Sequence, residues 1–185
     1  HTRKVYLFRD RVGVKPLYYY WDGEIFLFGS ELKALYENPG FKKELDLNAV
    51  HTYFDFGYIP APYSIFENTW KLLPGNTLIF DIEQKNIKTK AYWNASAFYE
   101  KPKFNITYEE AKAELHKLLK SAFQYRMVSD VPVGLFLSGG YDSTAVASIL
   151  QKNTSQQIKT FTIGFESGNN EAPYAKDTAD FIGTA

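Results

Sequence analysis

An apolar run, Val131-Pro-Val-Gly-Leu-Phe-Leu137, stops at Ser138-Gly139-Gly140-Tyr141-Asp142-Ser143, and this junction constrains the chain more than any other stretch. Its β-branched and large apolar residues predict a buried strand over 131–137. The small residues then open a helix, expected from Asp142 to about Lys152, with Ala145, Val146, Ile149 and Leu150 as its apolar stripe. A strand-to-helix turn of this kind gathers backbone N–H groups where the helix dipole favours negative charge. Gly139 and Gly140 let the backbone approach a ligand closely. Ser138, Ser143 and Thr144 add hydroxyl donors, and Asp142 is placed to hold a magnesium ion beside the anion. The pattern describes a pyrophosphate cradle.

Other glycine-rich turns fail on this sequence. A Walker A loop needs Gly-Lys-Ser/Thr, and no lysine follows Gly140 before Lys152. The dinucleotide fingerprint needs three spaced glycines, which 137–143 lacks. A hydrolase elbow would need glycine where Phe136 stands, and a histidine after the serine. All three histidines, His1, His51 and His116, precede Ser138. What remains, Ser-Gly-Gly-x-Asp-Ser after an apolar strand, resembles the PP-loop of ATP pyrophosphatases, which split ATP into AMP and pyrophosphate while adenylating a carbonyl or carboxylate. Tyr141 fills the x position, where that family more usually has a smaller aliphatic residue.

The chain of 185 residues has 21 acidic and 21 basic side chains, which argues against a broad nucleic-acid footprint. Its apolar runs are too short to span a bilayer, and no signal peptide is visible. Without cysteine there is no disulfide, Cys-ligated metal or cysteine nucleophile. His1 in place of Met, and a helix-like 172–182 running to Ala185, lead to the expectation that both ends are cuts within a longer polypeptide.

Residues 4–29 read as β structure: strands at 4–8, 16–21 and 24–29, the last two joined by Asp22-Gly23. Ser30 is expected to cap a helix over 31–36, and Asp46 another over 47–54. Pro74-Gly75 introduces a hairpin, 77–81 with 87–93, whose polar second strand suits a sheet edge. Composition changes near 94–105. Thr107 and Glu110 form a capping box for a helix over 108–127, with Ala111, Leu115, Leu118, Leu119 and Ala122 as its expected buried face. A strand at 159–165 and the helix 172–182 follow, an order that starts a doubly wound sheet. His51 and His116 fall mid-helix, with no acid partner at triad or metal spacing.

Further segments agree with one family. Arg9-Asp10-Arg11-Val12-Gly13-Val14-Lys15-Pro16-Leu17 is similar to the Arg-Asp-x-x-Gly-x-x-Pro-Leu motif of class II (N-terminal nucleophile) glutamine amidotransferases. Ser30-Glu31-Leu32-Lys33-Ala34-Leu35 and Leu72-Leu73-Pro74-Gly75 resemble later segments of that domain. Ser129-Asp130-Val131-Pro132-Val133-Gly134, the PP-loop, and Phe161-Thr162-Ile163-Gly164-Phe165 follow in order. The succession resembles glutamine-hydrolysing asparagine synthetase over essentially the whole chain.

That resemblance implies an α+β and α/β fold: the C-terminal part of an αββα glutaminase sandwich at 1–98, a linker at 99–106, and the start of a Rossmann-like PP-loop synthetase domain at 107–185. It implies that glutamine supplies ammonia and that ATP activates aspartate as β-aspartyl-AMP, which ammonia converts to asparagine with release of AMP. Site residues carried over are Leu137, Ser138, Gly139, Gly140, Asp142, Ser143, Thr144 and Ile163 for ATP and pyrophosphate, with Asp142 for Mg2+. Leu137 and Ile163 are expected to end adjacent parallel strands beside the adenosine. Arg9, Asp10 and Gly13 are expected to be architectural. The partners implied are ATP, aspartate and glutamine or ammonia, with neither nucleic acid nor membrane, in a cytoplasmic enzyme to be tested as a homodimer. The family's nucleophile and glutamine-binding residues would precede His1, so this chain alone is expected to perform neither half reaction. The alternatives are a related ligase acting on another carboxylate, or a degenerate non-catalytic homologue.

Overall fold

The computed structural model describes residues 3–168 and 170–185, which divide into two compact units, His1–Pro102 and Lys103–Ala185. The fold is mixed α and β. The first unit holds two antiparallel three-stranded sheets. One joins β1 (Lys4–Phe8), β5 (Asn76–Asp81) and β6 (Asn86–Ala91) in the order β1-β5-β6; the other joins β2 (Tyr18–Trp21), β3 (Phe26–Gly29) and β4 (Thr69–Lys71) in the order β3-β2-β4. Lys88 and Lys90 lie on the open edge strand β6, where charge discourages further pairing. Leu7, Leu78 and Phe80 meet Trp21 and Phe26 between the sheets, with Phe26 stacked on Phe80 at 4.2 Å. A second cluster, Tyr20, Leu35 and Phe41, packs the helix α1 (Leu32–Leu35) beneath the other sheet. The aromatic run Tyr18–Trp21 is thus a strand, with Tyr20 wholly buried.

The strand ends differ from the sequence expectation for electrostatic reasons. The hairpin loop is longer than Asp22-Gly23, because the pairing of Trp21 with Phe26 leaves four residues outside the ladder. Asp22 Oδ1 accepts hydrogen bonds from the Glu24 and Ile25 amides, and Oδ2 from the Tyr20 hydroxyl. Lys42 pairs with the same carboxylate at 3.3 Å. Strand β2 begins at Tyr18 rather than Pro16, since the Lys15 amide is held by Asp10 and its carbonyl by Arg9. Ser30 is not a cap: Glu31 holds that position without a side-chain cap bond and pairs with Lys33 at 2.7 Å. Asp46 does cap α2 (Leu47–Phe56), which runs two residues past expectation to Gly57 at φ +74°. His51 has an acid partner after all, Asp55 at 3.1 Å one helical turn away.

Backbone amides of Ile25 and Glu24 hold the Asp22 carboxyl well below the usual carboxylate range, and those of Lys15 and Val14 lower Asp10. A carboxyl depressed in the folded state stabilises above its unfolded pKa near 4 and loses that contribution as pH falls toward its folded value. The first unit should therefore lose stability progressively as pH drops below about 4. Asp22→Asn should flatten that loss, read as unfolding midpoint against pH; an unchanged profile would contradict the assignment.

In the second unit, α3 (Ser96–Tyr99) having closed the first, α4 (Tyr108–Arg126) opens on the expected capping box, Thr107 with Glu110. Then come β7 (Gly134–Phe136), α5 (Tyr141–Gln151), β8 (Lys159–Phe161) and α6 (Ala172–Ile182), with β7 and β8 parallel. Three expectations change here. The apolar stripe of α4 is not a buried face: Leu115 is 56% and Leu118 59% exposed, and α5 is the main element packed against this helix. The strands are three residues each, and only one face is covered. Leu137 and half-buried Leu135 pack on Ala147, Ala175, Ala179 and Ile182, while Phe136 on the other face is 79% exposed. On α5 it is Ala147, not Ala145, that faces the sheet. Among the described residues, no helix is long and apolar enough to cross a membrane.

Candidate phosphate-binding site

The chain leaves β7 under firm anchorage. Leu137 donates its N–H to the Phe161 carbonyl at 2.9 Å and accepts the Thr162 hydroxyl at 2.6 Å. Both of its backbone groups are thus tied to the end of β8, and its side chain is 2% exposed. Gly139 then takes φ +78°, the left-handed region that side chains disfavour. A Cβ there would also lie 2.9 Å from the Tyr174 carbonyl carbon. Gly140 differs: its φ of −75° suits any residue, and a Cβ would meet only Ser138 Oγ at 3.4 Å. Nothing in the packing requires glycine at 140. What it keeps free is the space beside the loop.

The loop closes on itself through two serines. Ser143 Oγ accepts the Ser138 N–H at 3.2 Å, lies 2.9 Å from Ser138 Oγ, and donates to the Gly140 carbonyl at 3.2 Å. Ser138 Oγ in turn accepts the Gly140 N–H at 3.3 Å. Each hydroxyl has one proton. Turning one O–H toward a ligand therefore gives up either the Ser138–Ser143 hydrogen bond or the bond to the Gly140 carbonyl. Thr144 Oγ1 is buried and without a partner among the described residues.

The backbone supplies the remaining donors. Helices α2 and α4 have their first N–H groups capped by Asp46 and Thr107. Helix α5 begins at Gly140 with no side-chain cap, so its N-terminal amides are left for a ligand or water. Beside them opens a cleft of about 290 Å3, lined by Ser138, Gly139, Gly140, Asn170, Glu171 and Tyr174. Asp142 stands exposed in the first turn of α5, and its carboxylate has no hydrogen-bond partner among the described residues. It does not cap the helix. Tyr141 is 97% exposed and leaves the loop's packing undisturbed. Ile163 lies two residues beyond β8 and is 66% exposed, so it does not end that strand; Phe161 does. A larger cleft, about 430 Å3, lies by Val131 to Val133 and Gln157 to Lys159 at the opposite, N-terminal ends of β7 and β8. Ligands of open α/β sheets collect at the carboxyl ends. The smaller cleft lies at that end.

Comparison with known proteins bears on both units. Residues 1–93 match the family model for the glutamine amidotransferase domain, and 114–185 that for asparagine synthase. A putative asparagine synthetase [glutamine-hydrolyzing] 2 of Methanocaldococcus jannaschii is 44% identical over 97% of this chain and 35% of its own length. Asparagine synthetases [glutamine-hydrolyzing] 3 and 1 of Bacillus subtilis are 32% and 35% identical, each over 95% of this chain, and 30% and 27% of their own lengths. This chain belongs to the glutamine-hydrolysing asparagine synthetase family. It spans about a third of the length of these relatives.

Within the first unit, the amidotransferase-like segments meet in space. The Arg9 guanidinium donates to the carbonyls of Leu72 (2.5 Å), Lys15 (3.1 Å) and Gly13 (3.2 Å). Asp10 receives the amides of Val14 and Lys15 on its carboxylate, and that of Gly75 on its carbonyl. Gly13 at φ +72° makes the turn. Arg9-Asp10 thus ties the first strand to Leu72-Leu73-Pro74-Gly75, an architectural role. Lys71 nearby donates its ammonium to the Ile59 carbonyl, and burial together with the Arg9 charge lowers its pKa.

Sequence reasoning missed Asn170, Glu171 and Tyr174 as cleft residues. Their one local signal was Pro173 in the first turn of α6, which marks a helix start but not what the start faces. Among the described residues no three acidic or histidine side chains cluster to cage a metal. Magnesium rarely needs such a cage, since one or two carboxylates and the phosphate oxygens of the substrate suffice. The carboxylates of Asp142 and Glu171, without partners among the described residues, fit that donor set.

Proposed function

We propose that this chain carries the ATP-phosphate cradle of an enzyme that makes asparagine from aspartate and glutamine through β-aspartyl-AMP, releasing AMP and pyrophosphate. The uncapped start of α5, opening beside the cleft at the carboxyl end of β7, is the observation that carries the reading. We assign residues 1–98 to the αββα glutaminase sandwich, 99–106 to a linker and 107–185 to the PP-loop domain. The loop residues take the β- and γ-phosphates: the amides of Tyr141, Asp142 and Ser143 point along the helix axis toward them, and one serine hydroxyl turns outward. Leu137, pinned to β8 by both backbone groups, keeps the amides from yielding as charge builds on the leaving pyrophosphate. Ile163, exposed past β8, borders the nucleoside. Asp142 holds Mg2+, which when bound neutralises phosphate charge that would repel the attacking aspartate carboxylate.

The test uses protein from the complete open reading frame with Mg-ATP, aspartate and amide-15N glutamine. Labelled asparagine, formed with one AMP and one pyrophosphate each, is the expected result. Turnover only with a different carboxylate, or none in folded protein, would overturn it.

A further inference from the structure

The acidic residue lining the cleft beside the loop is Glu171, not Asp142. It sits at the start of α6, makes no side-chain cap bond, and has no ion-pair partner among the described residues. Helix α6 is held against the loop, since the Tyr174 backbone lies where a Cβ on Gly139 would go. The start of α6, with Glu171, is thereby held at the cleft that Gly139 and Gly140 line. An anion in this cleft of about 290 Å3 shares it with Glu171, and like charges in such proximity near a protein surface repel enough to cost about tenfold in affinity. A bare polyphosphate is therefore penalised there, while a cation between the phosphate and Glu171 turns the penalty into attraction.

Resting on the phosphate reading above, we infer that Glu171 makes anion binding at this loop conditional on a divalent cation, so that the site discriminates the magnesium complex of a polyphosphate from the free anion. Asp142 and Glu171 flank the loop from different helices, α5 and α6, with separable duties. Asp142 is free to hold the ion, and Glu171 rejects the anion that arrives without one.

Titration calorimetry of inorganic pyrophosphate into the full chain, with and without Mg2+, tests this. The unmodified chain should bind with Mg2+ and at least tenfold more weakly without it. Glu171→Gln should bind metal-free pyrophosphate about tenfold more tightly, shrinking the magnesium dependence, whereas Glu171→Asp should keep it. Asp177→Asn makes the same charge change on α6 outside the cleft, and should shift affinity less than about twofold. Glu171→Gln indistinguishable from the unmodified chain, or matched by Asp177→Asn, would overturn the inference and leave the phosphate site standing. No pyrophosphate binding by the unmodified chain under either condition would overturn both.

Discussion

Gly139→Ala should lower the stability of the second unit by about 3 kcal/mol, while the neighbouring Gly140→Ala should change it by less than about 1 kcal/mol. At 139 two costs add. A left-handed φ of +78° disfavours alanine by about 1–2 kcal/mol, and a methyl group must displace the Tyr174 backbone from 2.9 Å. At 140 the backbone is extended and the nearest obstacle is a serine hydroxyl at 3.4 Å. The loss of a glycine N-cap and the stiffening of the unfolded chain are both small and opposed. Gly140→Ala should nonetheless weaken pyrophosphate binding, because its methyl group projects beside the cleft. All three tryptophans, Trp21, Trp70 and Trp93, lie in the first unit. Their fluorescence therefore provides an internal control, and amide exchange in α5 and α6 reads the second. Equal destabilisation at the two glycines would contradict the division of labour.

Asp142→Ala should reduce aspartate-dependent pyrophosphate release by about a hundredfold or more in protein from the complete open reading frame, without unfolding it. The carboxylate has no hydrogen-bond partner among the described residues, so its removal forfeits only a helix-dipole interaction of roughly 0.3–1 kcal/mol. A residue that capped its helix would show the reverse, with lost stability and retained chemistry. Release at an unchanged rate would remove Asp142 from any metal role.

What the sequence made legible was local. Thr107 with Glu110, Asp46 before Leu47, and Asp10 with Gly13 each satisfy backbone groups within a few residues, so a short window contains the whole cause. The strand, glycine turn and helix at 134–151 were legible for the same reason. Facing was not. The stripe Leu115, Leu118 and Ala122 has helical spacing whether or not a partner covers it. Leu135 and Phe136 are equally apolar, and only the placement of α5 and α6 decides which is covered. Glu171 entered the cleft through the contact of Gly139 with Tyr174, which no spacing rule links. The serines were read as ligand donors, and the structure shows them also closing the loop, with Ser143 Oγ on the Gly140 carbonyl and beside Ser138 Oγ.

The central claim is that the amides opening α5 receive phosphate. The 15N–1H correlation spectrum of the full chain, recorded as magnesium pyrophosphate is added, tests it residue by residue. Saturable shifts should appear at Gly139, Gly140, Tyr141, Asp142 and Ser143, spread to Glu171, and be absent from the cleft at Val131 to Val133. Shifts centred on that opposite cleft, or none at the start of α5, would contradict the account.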